Sequence, residues 1–550
     1  MKLQKLSIDY SHFTRKEILS VKKVRLTPAG CALDLGDGSE RGEYVNQDYI
    51  LHRLGRPVRA INLMYTYYPL DPEWPSRSSE AHPDMEVHGQ WDYPYDDYFP
   101  YGGGTGGDRN AKIFQEMRDV RRHGEDVLLT LTTDCRIPDE EIIAIAKDLK
   151  PFGRLKLRVN HECAGRWFTH NRRYSYEEVG EFFVRFSRII KEYAPNISMI
   201  FCSGFIGADG KMEKEDAFWD AFRAADIWSG DRYFTLHFGW PFNVCETGDL
   251  TYAVNPVDDY IEGMNQTVKR LTEICDGRQK PFSASEFNVD GDVTGPVLQG
   301  DSLIRFADYM EQNRPNWKYS LSLYQFRDRG RLGLEIEDPN NPEVGIPQPL
   351  MEDFKKLLKR PFFSPGLEED ETLYRKNDAD QKEDGESALK ADGSGIKEDG
   401  SAINEVSAQI DSTAFPQGMD EGRTPDTLTD LPLRWGGSED ADGLELTFRL
   451  EKTPVFFEVL FPEEANIMLS INGRWFYKAP GVRMIDLMPA FFSPDAPTVI
   501  PGQELKVLLF APPADGENPE TDEADWAENY CTTLAELPKF RIRYTPVAEV

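Results

Sequence analysis

Two glutamates stand out by their surroundings. Glu162 lies in the stretch LKLRVNHECAGRWFTHN and Glu286 in KPFSASEFNVDG. In each, a short β-rich run ends at or just before the carboxylate, and polar or aromatic loop residues follow. Paired carboxyls about 5–5.5 Å apart are the apparatus of retaining glycoside cleavage. One carboxyl is held neutral and protonates the leaving oxygen; the other stays ionised and attacks the anomeric carbon. One glutamate at a strand end says little, because most are merely solvated. Two in matching contexts say more, and they make Glu162 and Glu286 the expected catalytic pair.

Neighbouring residues fit supporting roles. His161 is placed to orient or polarise around Glu162, or else is a satisfied histidine beneath the site. Arg158, inward on the same strand, either holds the nucleophile ionised by its charge or forms an ordinary barrel ion pair. Trp167, Phe168 and Trp240 are candidate platforms for the C–H faces of sugar rings, with core packing as the equal alternative. Asn288, two residues past Glu286, joins the substrate-binding set. The aromatic-rich loop 70–108, with Trp74, Trp91, Tyr93, Tyr95, Tyr98 and Tyr101, is expected to wall the substrate.

The elements that must position these groups alternate strand and helix. Strands are expected at Val58–Thr66, Asp126–Thr132, Leu155–Val159, Ile197–Cys202, Asp226–Tyr233 (continuing to Gly239 as an option), Phe282–Phe287 and Ser320–Phe326. Helices are expected at Asn110–His123, Asp139–Leu149, Ala217–Ala225, Tyr260–Cys275 and Ser302–Gln312. The clearest helix carries Val179, Phe182, Phe183, Phe186, Ile189, Ile190 and Tyr193 on one face. Ser175-x-x-Glu178 caps its start and Pro195 closes it. So many βα units predict a closed (β/α)8 TIM barrel of α/β class, whose first strand must come from residues 1–50, with Cys31–Leu35 as the candidate. Catalytic groups of such a barrel sit at the C-terminal strand ends. Two strands separate Glu162 from Glu286, which puts them across the mouth from each other.

The stretch Arg158-Val159-Asn160-His161-Glu162-Cys163-Ala164-Gly165-Arg166-Trp167-Phe168 resembles the acid/base segment of glycoside hydrolase family 26, where a His-Glu pair precedes Gly and then Trp-Phe. Ser285-Glu286-Phe287 is similar to the nucleophile strand of the same clan. The resemblance spans roughly residues 55–360, and its specific motifs are confined to these two segments. It implies a retaining (β/α)8 hydrolase with the acid/base after strand four and the nucleophile ending strand seven. It also implies that Tyr233 on strand six donates to Glu286, and that β-mannan is the first substrate to try. The sequence departs from the family where Thr169-His170-Asn171 replaces further tryptophans, and where Tyr324-Gln325-Phe326-Arg327 replaces the usual strand-eight tryptophan.

Composition bounds the rest. The 550 residues carry 63 Lys+Arg against 95 Asp+Glu, a formal charge of −32. That sign argues against nucleic acid and anionic membranes and fits a neutral carbohydrate partner. The N-terminus lacks an apolar core for a signal peptide, which points to the cytoplasm unless a leader has been trimmed. No apolar run is long enough to span a bilayer. Seven cysteines form no close pair, and the eight histidines show no ligand spacing, so no cofactor and no catalytic metal are expected. A thiol nucleophile at Cys163 lacks a separate base. Gly102-x-Gly104-x-x-Gly107 follows no strand directly, so a glycine-rich turn is expected there rather than a nucleotide fold.

Three segments result: a catalytic barrel over 1–366, an acidic disordered linker over 367–427 and a C-terminal antiparallel β-sandwich over 428–550. In the sandwich, Trp475, Phe476 and Tyr477 are either sugar-stacking or packing residues. The rival for the whole chain is a non-catalytic carbohydrate-binding protein on a barrel scaffold.

Overall fold

The computed structural model describes residues 18–36, 44–74, 99–165, 173–207, 209–237, 252–254, 256–313, 319–328, 330–369, 432–435, 441–450, 453–461, 466–500, 502–510, 532–533 and 539–544. Eight parallel strands close a barrel: Ala32–Gly36, Ala60–Tyr67, Asp126–Thr133, Leu155–Val159, Ile197–Phe205, Ile227–Asp231, Phe282–Phe287 and Tyr319–Leu323. The first strand seals the ring. It pairs with the second (Leu35 with Ile61) and with the eighth (Leu33 with Leu321). Its position agrees with the expected source of strand one. All eight residues of the second and of the third strand are buried, as expected of strands covered on both faces.

Local chemistry explains the outer helices. Tyr176–Tyr193 starts at a reciprocal capping box: the Ser175 hydroxyl accepts from the Glu178 amide at 3.2 Å, and the Glu178 carboxylate accepts from the Ser175 amide at 2.8 Å. The expected apolar face is buried up to Ile190, but Tyr193 is 37% exposed, where the last turn leaves the barrel. Strand six stops at Asp231 rather than running on. Thr235–His237 instead forms a separate antiparallel ribbon with Tyr252–Val254. Among the described residues, no helix is long and apolar enough to cross a membrane.

The N-terminal end of the barrel holds an ionic knot. Asp126, which opens strand three, is buried and meets Arg121 at 2.8 Å, Lys156 at 3.1 Å and Arg154 at 3.3 Å. Burial alone would push its carboxyl up, but the cations of Arg154, Lys156, Arg121 and Arg59 outweigh it and hold it well below the usual range. The stability gained this way is present above the unfolded carboxylate pKa and is lost as pH falls through the lower folded value. Asp126→Asn would leave buried Arg121 and Lys156 without their partner. We expect it to cost about 3–5 kcal/mol, read by denaturant unfolding at neutral pH, with the difference from wild type shrinking in strong acid.

A second body is a β-sandwich. One sheet runs Gly366–Glu369, Ile18–Thr27, Ala441–Arg449, Glu504–Phe510, Ile467–Ile471, Arg474–Lys478; the other runs Met484–Asp486, Pro454–Leu460, Lys539–Tyr544. Between them pack Leu444, Leu446, Phe457, Val459, Leu469, Val507, Leu509 and Phe540. Asn472 (φ 52°) and Gly473 (φ 80°) make the tight hairpin turn that the Asn-Gly pair signals. Ile18–Thr27 pairs with Ala441–Arg449 (Val24 with Gly443), so the sandwich takes a strand from the N-terminal part of the chain. Leu367–Glu369 likewise belong to this sheet, and the remainder of the acidic stretch, 370–427, lies outside the described residues.

Trp475 settles between the two bodies. It stacks on Phe510 at 5.8 Å, clusters with Val24, Leu26, Leu51 and Met468, and its amide donates to the Gly55 carbonyl at 2.7 Å. Tyr477 lies 4.0 Å from the His123 ring, and Phe476 packs on the sandwich core. Of the two readings of this triplet, packing is what the structure places there.

Candidate active site

The C-terminal mouth of the barrel gathers Glu162, Glu286, His161 and a residue to which the sequence reading gave no role, Asp231. One ligand atom from each of the four lies within 4.8 Å of all the others. Glu286 is the fifth residue of strand seven; its side chain is 13% exposed, the only one of the four not fully sunk. Its Oε1 accepts from His161 Nε2 at 2.8 Å, and its Oε2 accepts from the Tyr233 hydroxyl at 2.7 Å. The tyrosine thus does what the family resemblance implies. His161 differs from expectation, because Nε2 reaches across the mouth to Glu286 and to Asp231 Oδ2, at 3.2 Å.

These contacts set the charges. Burial pushes Glu286 up, but the His161 charge and hydrogen bond, the Arg158 charge and the Tyr233 hydroxyl together hold it below its ordinary value. It is therefore ionised through the neutral range. Burial and the nearby Glu286 charge push Asp231 up, against His161, a hydrogen bond with Glu162 and Arg158. Tyr233 is pushed far above 10 by burial and by Glu286, so it remains a donor. Arg158 is fully buried, its Nε bonds Thr130 Oγ1 at 2.9 Å, and its two terminal nitrogens have no hydrogen-bond partner among the described residues. Its effect on Glu286 is that of a charge rather than of a bonded ion pair.

The backbone at Glu162 is unusual. Both Asn160 and Glu162 have φ of 50°, in the left-handed region. Asparagine tolerates this; for glutamate it costs about 1–2 kcal/mol. The turn is held from outside: Asn160 Oδ1 accepts from the Thr133 amide at 2.8 Å, and the Cys163 and Ala164 amides donate to the Cys202 and Ser203 carbonyls at 3.4 and 2.8 Å. Strands three and five so fix a strained residue over the mouth, 5% exposed.

Other expected residues fare differently. Asn288 is fully buried; its amide donates to the Tyr324 and Leu332 carbonyls and its Oδ1 accepts from the Val289 amide at 2.7 Å. It ties strand seven to the loop after strand eight, and that use of both ends of the amide takes the place of the expected substrate contact. Trp167, Phe168, Trp240, Trp91, Tyr93, Tyr95 and Tyr98 lie outside the described residues. Tyr101 is wholly buried against Tyr67 and Phe114, so it is core rather than wall. Trp74 is covered by the Arg173 guanidinium at 4.2 Å, and Arg173 also meets Asp134 at 3.0 Å, joining the loops after strands two, three and four. Tyr324, at the strand-eight position, sits 6.3 Å from Tyr233 and is 9% exposed.

The discounted motifs resolve as turns and packing. Gly102, Gly104 and Gly106 all have positive φ, and the Gly104 and Thr105 amides donate to Asp148 at 2.7 Å and Glu141 at 3.1 Å. Acidic side chains therefore hold the amides that a phosphate would need. Burial raises the Cys163 and Cys202 thiols well above their usual value, so both stay protonated and unreactive.

Asp231 was the signal missed in Gly230-Asp231-Arg232-Tyr233: it is the last residue of strand six, two before Tyr233, and both side chains reach the Glu286–His161 cluster. Tyr233 also gives the first check on the electrostatics. Tyr233→Phe removes a donor that stabilises the Glu286 anion, so the Glu286 pKa rises. The acidic limb of the kcat/KM profile is expected to move to higher pH, while the basic limb stays where it is. An unmoved acidic limb in the variant would contradict the assignment.

An eight-stranded barrel with two glutamates closing on each other from strands four and seven is thus the class that fold and site define. No family model and no curated protein matches the chain. Among solved structures it is similar to a family 26 β-mannanase from Bacteroides ovatus at 13% identity, over 61% of this chain and 90% of that one, with a TM-score of 0.37. It is similar to a family 51 α-L-arabinofuranosidase from Bifidobacterium longum at 10% identity, over 90% and 97%, TM-score 0.37. A family 39 glycoside hydrolase from Bacteroides cellulosilyticus gives 12%, 87% and 80%, and 0.37. Likenesses this distant say nothing of substrate or reaction.

Proposed function

We propose that the chain is a retaining glycoside hydrolase in which Glu286 is the nucleophile and Glu162 the acid/base. The observation that carries this reading is the approach of a Glu162 oxygen to within 4.8 Å of a Glu286 oxygen at the barrel mouth. That bound favours the carboxyl separation of about 5–5.5 Å used for double displacement over the about 6.5–9.5 Å of an inverting enzyme. Glu286, held ionised by His161, Arg158 and Tyr233, forms a bond to the anomeric carbon as the glycosidic C–O bond breaks. The Glu162 proton passes to the departing oxygen. Water then attacks the glycosyl-Glu286 ester while Glu162 takes its proton back, restoring both groups.

The His161-Glu162 pair with its following Gly165 and Trp167-Phe168 supports a family-26-like enzyme and β-mannan as first substrate. The test is sugar release from β-mannan, xylan, glucan and galactan, with Glu286→Ala as the paired control. Release by the wild type alone supports the reading and names the substrate class. No release by either protein, with binding of one of these glycans intact, would instead make the chain a carbohydrate-binding barrel.

A further inference from the structure

The cluster at the mouth holds more acid than double displacement uses. Two carboxyls suffice for the chemistry, yet a third, Asp231, is fully buried between them and His161. An oxygen of Glu162 lies within 4.8 Å of oxygens of both Asp231 and Glu286. Three carboxyls gathered this closely are stabilised by a cation among them, whether a proton or a metal ion. The imidazole presents one atom, Nε2, to two carboxylates at once, 2.8 Å from Glu286 Oε1 and 3.2 Å from Asp231 Oδ2. A bound tetrahedral zinc, with bonds of about 2.0–2.1 Å to nitrogen and oxygen, needs its ligand atoms about 3.3 Å apart. The two distances from His161 Nε2, 2.8 and 3.2 Å, are close to that spacing, and the Asp231 and Glu286 oxygens lie within 4.8 Å of each other. No N–H or hydroxyl donor meets Asp231 Oδ1 among the described residues.

We infer that this cluster is also a binding site for a borderline-soft divalent cation of the zinc type, ligated by His161 Nε2, Asp231 Oδ2 and Glu286 Oε1. A Glu162 oxygen, or water, fills the fourth position. Binding displaces to solvent the proton that His161 Nε2 otherwise donates to Glu286. It also requires the tautomer with its proton on Nδ1, so that Nε2 offers its lone pair. The mixed nitrogen and oxygen set, closed to four positions, selects zinc over magnesium and calcium, which want six or more oxygens. Because the ion takes the oxygen that the proposed nucleophile uses, metal and sugar substrate exclude each other, and the ion is an inhibitor rather than a cofactor. Cys202 lies at the edge of the cluster, 3.5 Å from Asp231 Oδ2, and is not assigned as a ligand.

The test needs no substrate, so it stands or falls separately from the hydrolase reading. The chelator-treated full-length chain is titrated with zinc chloride by calorimetry, and with cobalt(II) by visible absorption. Expected are one equivalent of tight binding and the intense visible bands of four-coordinate cobalt, with no comparable heat from calcium or magnesium. Asp231→Asn and His161→Gln are each expected to weaken zinc by at least about tenfold, and Cys202→Ser to leave affinity unchanged. Two variants guard against one failing to fold, and the cobalt spectrum reads the wild type itself. The inference is overturned by several weak equivalents with a pale six-coordinate cobalt spectrum, as the many surface acids would give. Equal affinity in both ligand variants, or loss of binding in Cys202→Ser, would overturn it too.

Discussion

Glu286→Ala is expected to lower kcat by on the order of 10⁵-fold on any substrate the wild type cleaves, with the fold retained. The size follows from the proposed role. A nucleophile cannot be partly replaced by its neighbours, because His161 and Tyr233 only hold the carboxylate and neither can form the glycosyl ester. The alanine leaves space on the same face of the sugar. Azide entering that space is expected to restore turnover and to yield a glycosyl azide of inverted configuration. Measured rates with and without azide, and the product's anomeric form, check both parts. A variant that keeps normal rates removes Glu286 from the chemistry.

The second large effect is expected at Glu162, where activity and stability should move in opposite directions. Glu162→Gly replaces a strained left-handed glutamate with the residue that adopts φ of 50° freely. It also takes a third acid out of the buried cluster around Asp231. We expect a gain of about 1 kcal/mol, a rise of about 2–4 °C in Tm for a domain of this size. Hydrolysis of substrates with poor leaving groups should fall about 10²–10⁴-fold, as loss of a general acid does. Substrates whose leaving group needs no proton, such as dinitrophenyl glycosides, should still form the glycosyl-enzyme readily. Calorimetric Tm alongside rates on two leaving groups tests this. A variant both less stable and equally slow on both substrates would mean that Glu162 is a structural residue.

How legible was this in the chain? The barrel was written locally. Strand patterns of buried β-branched and leucine residues, the capping box at Ser175 and the terminal glycines and prolines placed seven strands and most helices. The helix expected from Ser302 starts earlier, at Pro296 after Gly295, because a proline in the first turn is a start signal as much as a breaker. The strand Ile18–Thr27 could not be assigned to the sandwich in advance. Its partner Ala441–Arg449 is far away in sequence, and only pairing energy between distant segments decides the match. The same holds inside the site. Glu162, Glu286 and Tyr233 follow from strand ends and a familiar motif, whereas the choice of His161 for Glu286 and Asp231 depends on which side chains the closed ring brings face to face. Asn288 shows the converse: a polar residue two past Glu286 reads as a substrate contact, whereas its amide is engaged by backbone carbonyls of the next loop. Nothing in sequence signals the left-handed turn at Glu162, which exists only because strands three and five hold it.

The most direct measurement is the stereochemistry of the first-formed sugar, followed by proton NMR on the substrate that the panel identifies. Carboxyls this close predict retention: the new reducing end appears in the configuration of the cleaved bond and equilibrates only later by mutarotation. First appearance of the opposite anomer would contradict the account, because inversion uses a water held between carboxyls about 6.5–9.5 Å apart.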